Sequence, residues 1–335
     1  MQQNLVSIVI PFKNTELYIS ECVDSILSQS YKNWEAIFVD DHSEDQSHAI
    51  LKNYSDSELR IKVLKNEGHG IIEALQTAFK QTKGVFITRM DSDDIMTPNR
   101  LEVMVNNLKK YGNAHVAIGQ VNYFREGGVS EGFVKYEQWL NRLTQTGTNY
   151  SEIYKECVIP SPCWMIYRED FIACGGFEPN RYPEDYDLAF RFYKANYKCI
   201  PCDKVLLHWR DYSERTSRNH KHYAENSFLD LKVDYFLELD YDCNRPLTIW
   251  GAGAKGKKLA RLLIKHDIPF YWICDNPKKI GKDIYDQKLK RFNFLSQLCN
   301  PQSIVTVANE TSQREIKSYF EAQHMNAMFD YFFFC

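Results

Sequence analysis

Gly84-Val-Phe-Ile-Thr-Arg-Met-Asp-Ser-Asp-Asp-Ile-Met-Thr-Pro98 is an apolar run that ends in carboxylates. Val85, Phe86 and Ile87, bounded by Gly84, predict a short strand in a sheet covered on both faces. Asp91, Ser92, Asp93 and Asp94 stand where that strand emerges, and Pro98 with Asn99 marks the start of a helix. Three carboxylates in four residues repel one another. A cation or a ring of donors would neutralise them, and hard divalent cations take oxygen ligands. The alternative is an acidic turn that caps the next helix, where Asp is favoured.

Upstream of this stretch, Val6-Ser-Ile-Val-Ile-Pro11 is an apolar strand stopped by Pro11, which lacks a backbone donor. Residues 16 to 29 carry helical apolar spacing, Trp34 to Val39 is a second strand ending in Asp40-Asp41, and 47 to 54 is helical again. Ile61 to Leu64 is a third strand and Ile71 to Lys83 a helix, so the opening stretch supplies the fourth strand. Strands alternating with helices predict a parallel doubly wound sheet. Such sheets bind ligands beyond the carboxyl ends of their strands, near the switch in strand order. Pro11, Asp41 and Asp91 each follow a different strand and so converge on one edge.

Composition narrows the function classes. The chain has 335 residues, 44% hydrophobic and 25% charged, with a formal net charge of −3. That suits a globular protein of two domains and lacks the clustered basic face that nucleic acid requires. No apolar run reaches the roughly 18 residues needed to cross a bilayer, so a cytoplasmic location with at most peripheral membrane contact is expected. Ten scattered cysteines fit a reducing compartment, and the close pair Cys199 and Cys202 has no second pair with which to build a zinc site.

Four pieces in order resemble the family 2 glycosyltransferases of GT-A fold: Val6 to Asn14 with Glu16, Val39-Asp-Asp-His-Ser43, Arg89-Met-Asp-Ser-Asp-Asp-Ile95 and Pro183-Glu-Asp-Tyr-Asp-Leu188. The resemblance implies a GT-A domain, Rossmann-like with a mostly parallel central sheet, over residues 1–225. It implies an inverting, metal-dependent transferase that moves a sugar from a nucleotide sugar, a UDP-sugar by preference, to a hydroxyl of a glycan or lipid-linked glycan in cell-surface polysaccharide synthesis. Pro11, Phe12, Lys13, Glu16 and Asp41 would then hold the nucleotide, with Asp41 accepting from the uracil imide nitrogen. Lys13 stands where relatives carry an aromatic, which passes the stacking role to Phe12, and Leu75 stands near a position where many carry Arg. Asp91 would lie near the ribose or donor sugar and Asp93 would ligate Mn2+ or Mg2+. Asp185 would be the general base, with Glu184 beside the donor, because an acceptor hydroxyl must lose its proton as the new bond forms. Against this stands a helix-capping role for Asp185. His208 is a second candidate metal ligand, and Arg215 and Arg218 are candidate donors to the departing diphosphate.

Residues 226–245 read as a helical linker, and 246–335 as a small Rossmann-like α/β domain. There Leu247 to Trp250 runs into Gly251-Ala-Gly-Ala-Lys-Gly256, a helix follows, and a second strand ends in Asp275. A rival function centres on this turn: an NAD- or nucleotide-binding oxidoreductase, or a sensor. It leaves Asp41, Asp91, Asp93 and Asp185 without a purpose.

Overall fold

The computed structural model describes residues 4–213 and 228–335. The chain divides into two compact units, residues 1–150 with 157–213 and residues 151–156 with 214–335.

The first unit opens with β1 (Val6–Phe12), α1 (Ile19–Leu27), β2 (Trp34–Asp40), α2 (Ser47–Ser57), β3 (Ile61–Lys65), α3 (Ile71–Lys80) and β4 (Phe86–Arg89). β5 (Ile95–Met96), α4 (Arg100–Tyr111), β6 (His115–Ile118), β7 (Gln120–Phe124) and α5 (Glu131–Thr146) come next. It ends with β8 (Trp164–Tyr167), α6 (Arg168–Ala173), α7 (Glu184–Lys194), β9 (Lys198–Ile200) and β10 (Val205–Arg210). Seven strands form one sheet in the order β3-β2-β1-β4-β8-β6-β9, and β5, β10 and β7 form a small second sheet. β1, β2, β3 and β4 pair in parallel, as their alternation with helices predicts, whereas β8 runs antiparallel to β4 and β6. Strand order reverses between β1 and β4, so the switch point lies where the opening stretch ends.

Local chemistry explains the strand limits. Val85, expected within the strand, is 42% exposed, and β4 runs instead from Phe86 through the polar pair Thr88 and Arg89. Thr88 is fully buried and its hydroxyl donates to the Trp164 carbonyl, while Arg89 finds carboxylate partners, so neither ends the strand. Beneath this end lies Arg100, wholly buried, whose Nη2 donates to Thr88 Oγ1 at 3.1 Å and to the Arg89 carbonyl at 2.9 Å. The core packs Ile8, Ile10, Phe38, Phe86, Leu101 and Met104. Cys199 and Cys202 are buried free thiols, and burial pushes the Cys199 thiol up to about 12.

The second unit holds α8 (Phe228–Leu239), β11 (Leu247–Trp250), α9 (Ala254–Lys265), β12 (Tyr271–Cys274), β13 (Asp283–Ile284), β14 (Gln287–Lys288) and β15 (Lys290–Arg291). β16 (Gln302–Val305), α10 (Glu310–Ala322) and β17 (Tyr331–Phe333) complete it. Its parallel sheet has the order β15-β12-β11-β16-β17, again reversing at its first strand. The expected linker is part of this unit: α8 packs on α9, and Arg245 is buried, with Nη2 2.5 Å from Asp330 Oδ1. The short segment 151–156 belongs here as well. Tyr154 is 1% exposed, stacks on Phe334 at 5.0 Å between centroids, meets Phe236 and Phe332 edge-on, and donates its hydroxyl to Asp240 at 2.6 Å.

Candidate active site

Register gathers the site. Parallel pairing sets Phe12 opposite Asp40 and Val9 opposite Arg89, so Lys13, Asp41 and the residues after Arg89 leave the sheet along one edge. Asp41 is 9% exposed, and its Oδ1 accepts from Asn66 Nδ2 and from the Gly70 amide, both at 2.8 Å. Two donors on one oxygen fix the carboxylate and leave Oδ2 as its outward atom, with the exposed Lys13 Nζ 3.8 Å away. His42, at the same turn, donates Nε2–H to the Gly68 carbonyl at 2.8 Å and stacks on His69 at 4.5 Å. The neighbouring Asp40 is consumed structurally, accepting from the Ser43 amide and pairing with His48 at 2.9 Å.

The expected nucleotide contacts differ in their freedom. Pro11 is buried at the strand end, and Phe12 is 2% exposed with its ring edge-on to Phe38, so as packed it presents no open face for stacking. Glu16 is exposed but accepts from the Gln46 amide at 2.8 Å, while its own amide donates to Asp45, which ties the loop after β1 to the loop before α2. Leu75 is a core residue.

The carboxylate cluster is organised by two arginines. Arg89, 4% exposed, donates Nε to Asp91 Oδ1 and Nη1 to Glu184 Oε1, each at 2.9 Å. Burial opposes its charge, but Asp91, Glu184 and Asp185 more than offset this and hold it protonated. Arg210, at the end of β10, donates Nε to the Asp93 carbonyl and its amide to Asp94 Oδ1, while Nη2 pairs with Glu21. Tyr212 donates its hydroxyl to Asp93 Oδ2 at 2.9 Å. Neither Arg89 nor Tyr212 is given a role by the sequence. Arg89 adjoins the acidic motif, but its partner Glu184 lies 95 residues on.

α7 begins at Glu184, with Pro183 at the N-cap. Asp185 therefore sits inside the first turn rather than at the N-cap, and its Oδ1 accepts from the adjacent Tyr186 amide at 2.7 Å, while Pro183 makes no side-chain cap hydrogen bond. Its carboxyl is pushed up to about 7. Burial is the main cause and the Glu184 charge adds to it, against the opposing pull of Arg89 and the Tyr186 amide. A carboxylate raised this far is poised to take a proton near neutral pH.

His208 lies in β10 opposite Ile95, with its ring edge-on to Phe124 at 6.3 Å. Among the described residues no group of three or more His, Cys, Asp or Glu side chains is arranged to hold a metal ion. Arg215 and Arg218 lie outside the described residues. In the second unit, Gly251 has φ +120°, and a Cβ on Gly256 would stand 2.2 Å from the Gly251 carbonyl, so the turn between β11 and α9 requires glycine at both places. Asp275 accepts from Trp250 Nε1 at 3.2 Å.

Solved structures share this architecture. Staphylococcus aureus TarS 1–349, in complex with UDP-GlcNAc, superposes with a TM-score of 0.54 at 19% identity, covering 79% of this chain and 72% of that one. The fold is GT-A. The profile of glycosyl transferase family 2 matches residues 7–175. Escherichia coli WfgD, a UDP-Glc:alpha-D-GlcNAc-diphosphoundecaprenol beta-1,3-glucosyltransferase, is 31% identical over 212 residues, 63% of this chain and 78% of WfgD. The glycosyltransferase GlyA of Streptococcus pneumoniae is 27% identical over 214 residues, 61% of this chain, which spans only 30% of GlyA's length. The chain belongs to glycosyl transferase family 2.

Proposed function

We propose that the chain transfers a sugar from a UDP-sugar to a hydroxyl of a glycan or lipid-linked glycan acceptor, with inversion, as a step of cell-surface polysaccharide synthesis. The observation that carries this reading is the Arg89 ion pair with Asp91 and Glu184, which ties a strand-end acidic motif to a helix-borne carboxylate, Asp185, raised to about 7. The donor and acceptor classes follow WfgD, whose name states a UDP-glucose donor and a lipid-diphosphate-linked acceptor. Among the described residues no helix is long and apolar enough to cross a membrane.

In this reading Asp41 Oδ2 accepts from the uracil imide N–H, its other oxygen being held by Asn66 and Gly70. The acceptor hydroxyl gives its proton to Asp185 as its oxygen bonds the anomeric carbon. The bond from that carbon to the diphosphate oxygen breaks, and the electron pair leaves with UDP. A single displacement from the opposite face inverts the configuration.

Asp93 suits a divalent cation, because its partly exposed carboxylate supplies hard oxygen beside the donor site, and such ions are held by one or two carboxylates completed by substrate phosphates. Bound there by Asp93 and the diphosphate oxygens, Mn2+ or Mg2+ would neutralise charge on the leaving group. The test is UDP, GDP or dTDP release from a panel of nucleotide sugars, with and without Mn2+. Release from UDP-sugars that rises with acceptor and Mn2+ is expected, and turnover of no nucleotide sugar would overturn the proposal.

A further inference from the structure

Arg89 is the feature of the site that the reaction scheme leaves without a task. A buried guanidinium with two separate carboxylate partners is an unusual element at the end of a central strand, since an isolated charge there is strongly disfavoured. Its fork is divided: Nε serves Asp91, two residues along its own chain, and Nη1 serves Glu184, the first residue of α7. One planar group thereby sets the distance between the motif expected to meet the donor and the helix that carries Asp185. Three anionic side chains surround it, and without it Asp91, Glu184 and Asp185 would face one another uncompensated.

We propose that Arg89 is a positioning residue of the transfer reaction: by clamping Glu184 to Asp91 it holds the first turn of α7, and with it Asp185, to the strand-end motif. The proposal rests on the transferase reading, in which Asp185 is the base. The groups acting on Asp185 are Glu184 and the Tyr186 amide on its own helix, and Arg89 and Asp91 from the strand end. Removing the cation and removing the neighbouring anion must therefore move Asp185 in opposite directions. Charge alone produces that opposition, so the role in transfer is read from kcat in Arg89→Lys.

The experiment compares wild type with Arg89→Met, Arg89→Lys and Glu184→Gln in the full chain. The readouts are the pH profile of kcat/KM, calorimetric UDP affinity with Mn2+, and the NMR titration of the Asp185 carboxyl carbon, assigned by its loss in Asp185→Asn. In Arg89→Met the acidic limb and the carboxyl titration should both rise by about one unit, the scale of an opposite charge removed at close range. In Glu184→Gln both should fall. Arg89→Lys keeps the charge without the fork, so its limb should stay near that of wild type while kcat drops at least about tenfold with UDP affinity little changed. If Arg89→Met does not fold, the Lys and Gln variants decide. A limb and titration that do not move in Glu184→Gln, with full kcat in Arg89→Lys, overturn the proposal. A wild-type chain that turns over no nucleotide sugar, but whose Asp185 titration shifts as stated, overturns the transferase reading and leaves the electrostatic role of Arg89 standing.

Discussion

Glu184 Oε1 and Arg89 Nη1 lie 2.9 Å apart across 95 residues of chain, and this contact joins the two acidic motifs of the site. The pair is almost wholly buried, with side-chain exposures of 10% and 5%. Leaving Glu184 and Asp91 without the guanidinium should destabilise the first unit by about 3–5 kcal/mol, the cost of breaking a buried pair from one side. Chemical denaturation of Arg89→Met measures it, and a loss below about 1 kcal/mol would show that water compensates both carboxylates.

Asp185→Asn should retain UDP binding and lose transfer by roughly 10²-fold or more, because the amide keeps the acceptor oxygen for Tyr186 but takes no proton. In wild type the base must be ionised. With its carboxyl at about 7, kcat/KM should be full above that pH and decline tenfold per unit below it. A profile flat from pH 5 to 8 would remove Asp185 from the role.

Asp93→Ala should abolish the Mn2+-dependent part of UDP affinity, since it removes the carboxylate offered to the cation. Tyr212→Phe removes only the hydroxyl that donates to Asp93 Oδ2, so it should leave metal-dependent binding in place. Calorimetry of UDP with and without Mn2+ separates the two, and unchanged affinity in Asp93→Ala would count against the metal assignment.

Asp41→Ala strands two donors, Asn66 Nδ2 and the Gly70 amide, and should cost about 1–3 kcal/mol in stability besides weakening UDP. Asp41→Asn keeps an oxygen for both donors, so its melting temperature should stay near that of wild type. Its UDP-induced thermal shift should shrink if Oδ2 meets the imide N–H. An undiminished shift in both variants would place the base elsewhere.

Much of this was legible in the sequence because the first four strands alternate with helices and three of them end beside punctuation: β1 one residue past Pro11, β2 at Asp40 and β4 just before the acidic run. The antiparallel entry of β8 was not, since the direction of Trp164–Tyr167 depends on pairing with β4 and β6, which no local pattern encodes. Phe12 sat in a motif that suggested ligand contact, yet the two-residue period of β1 turns its ring into the core against Phe38. Arg89 was visible as a residue but not as a contact, because its second partner is brought by α7. Arg245 is a similar case: in the sequence it looks like a solvated charge, and only the fold closes Asp330 on it.

Tyr154 lies 180 residues before Phe334, the ring stacked on it. Synthesis from the N-terminus means that the first unit's strands and helices through β10 are complete long before Phe236, Phe332 and Phe334 exist to enclose this side chain. A nascent chain that has just finished β10 therefore carries an uncovered tyrosine from its own middle, which is sheltered only when the last strand is made. The C-terminal unit is accordingly not an interchangeable cassette. A recombination that replaced everything after residue 213 would leave behind a six-residue fragment of the old unit, and a successful exchange would have to rewrite Ser151 to Glu156 as well.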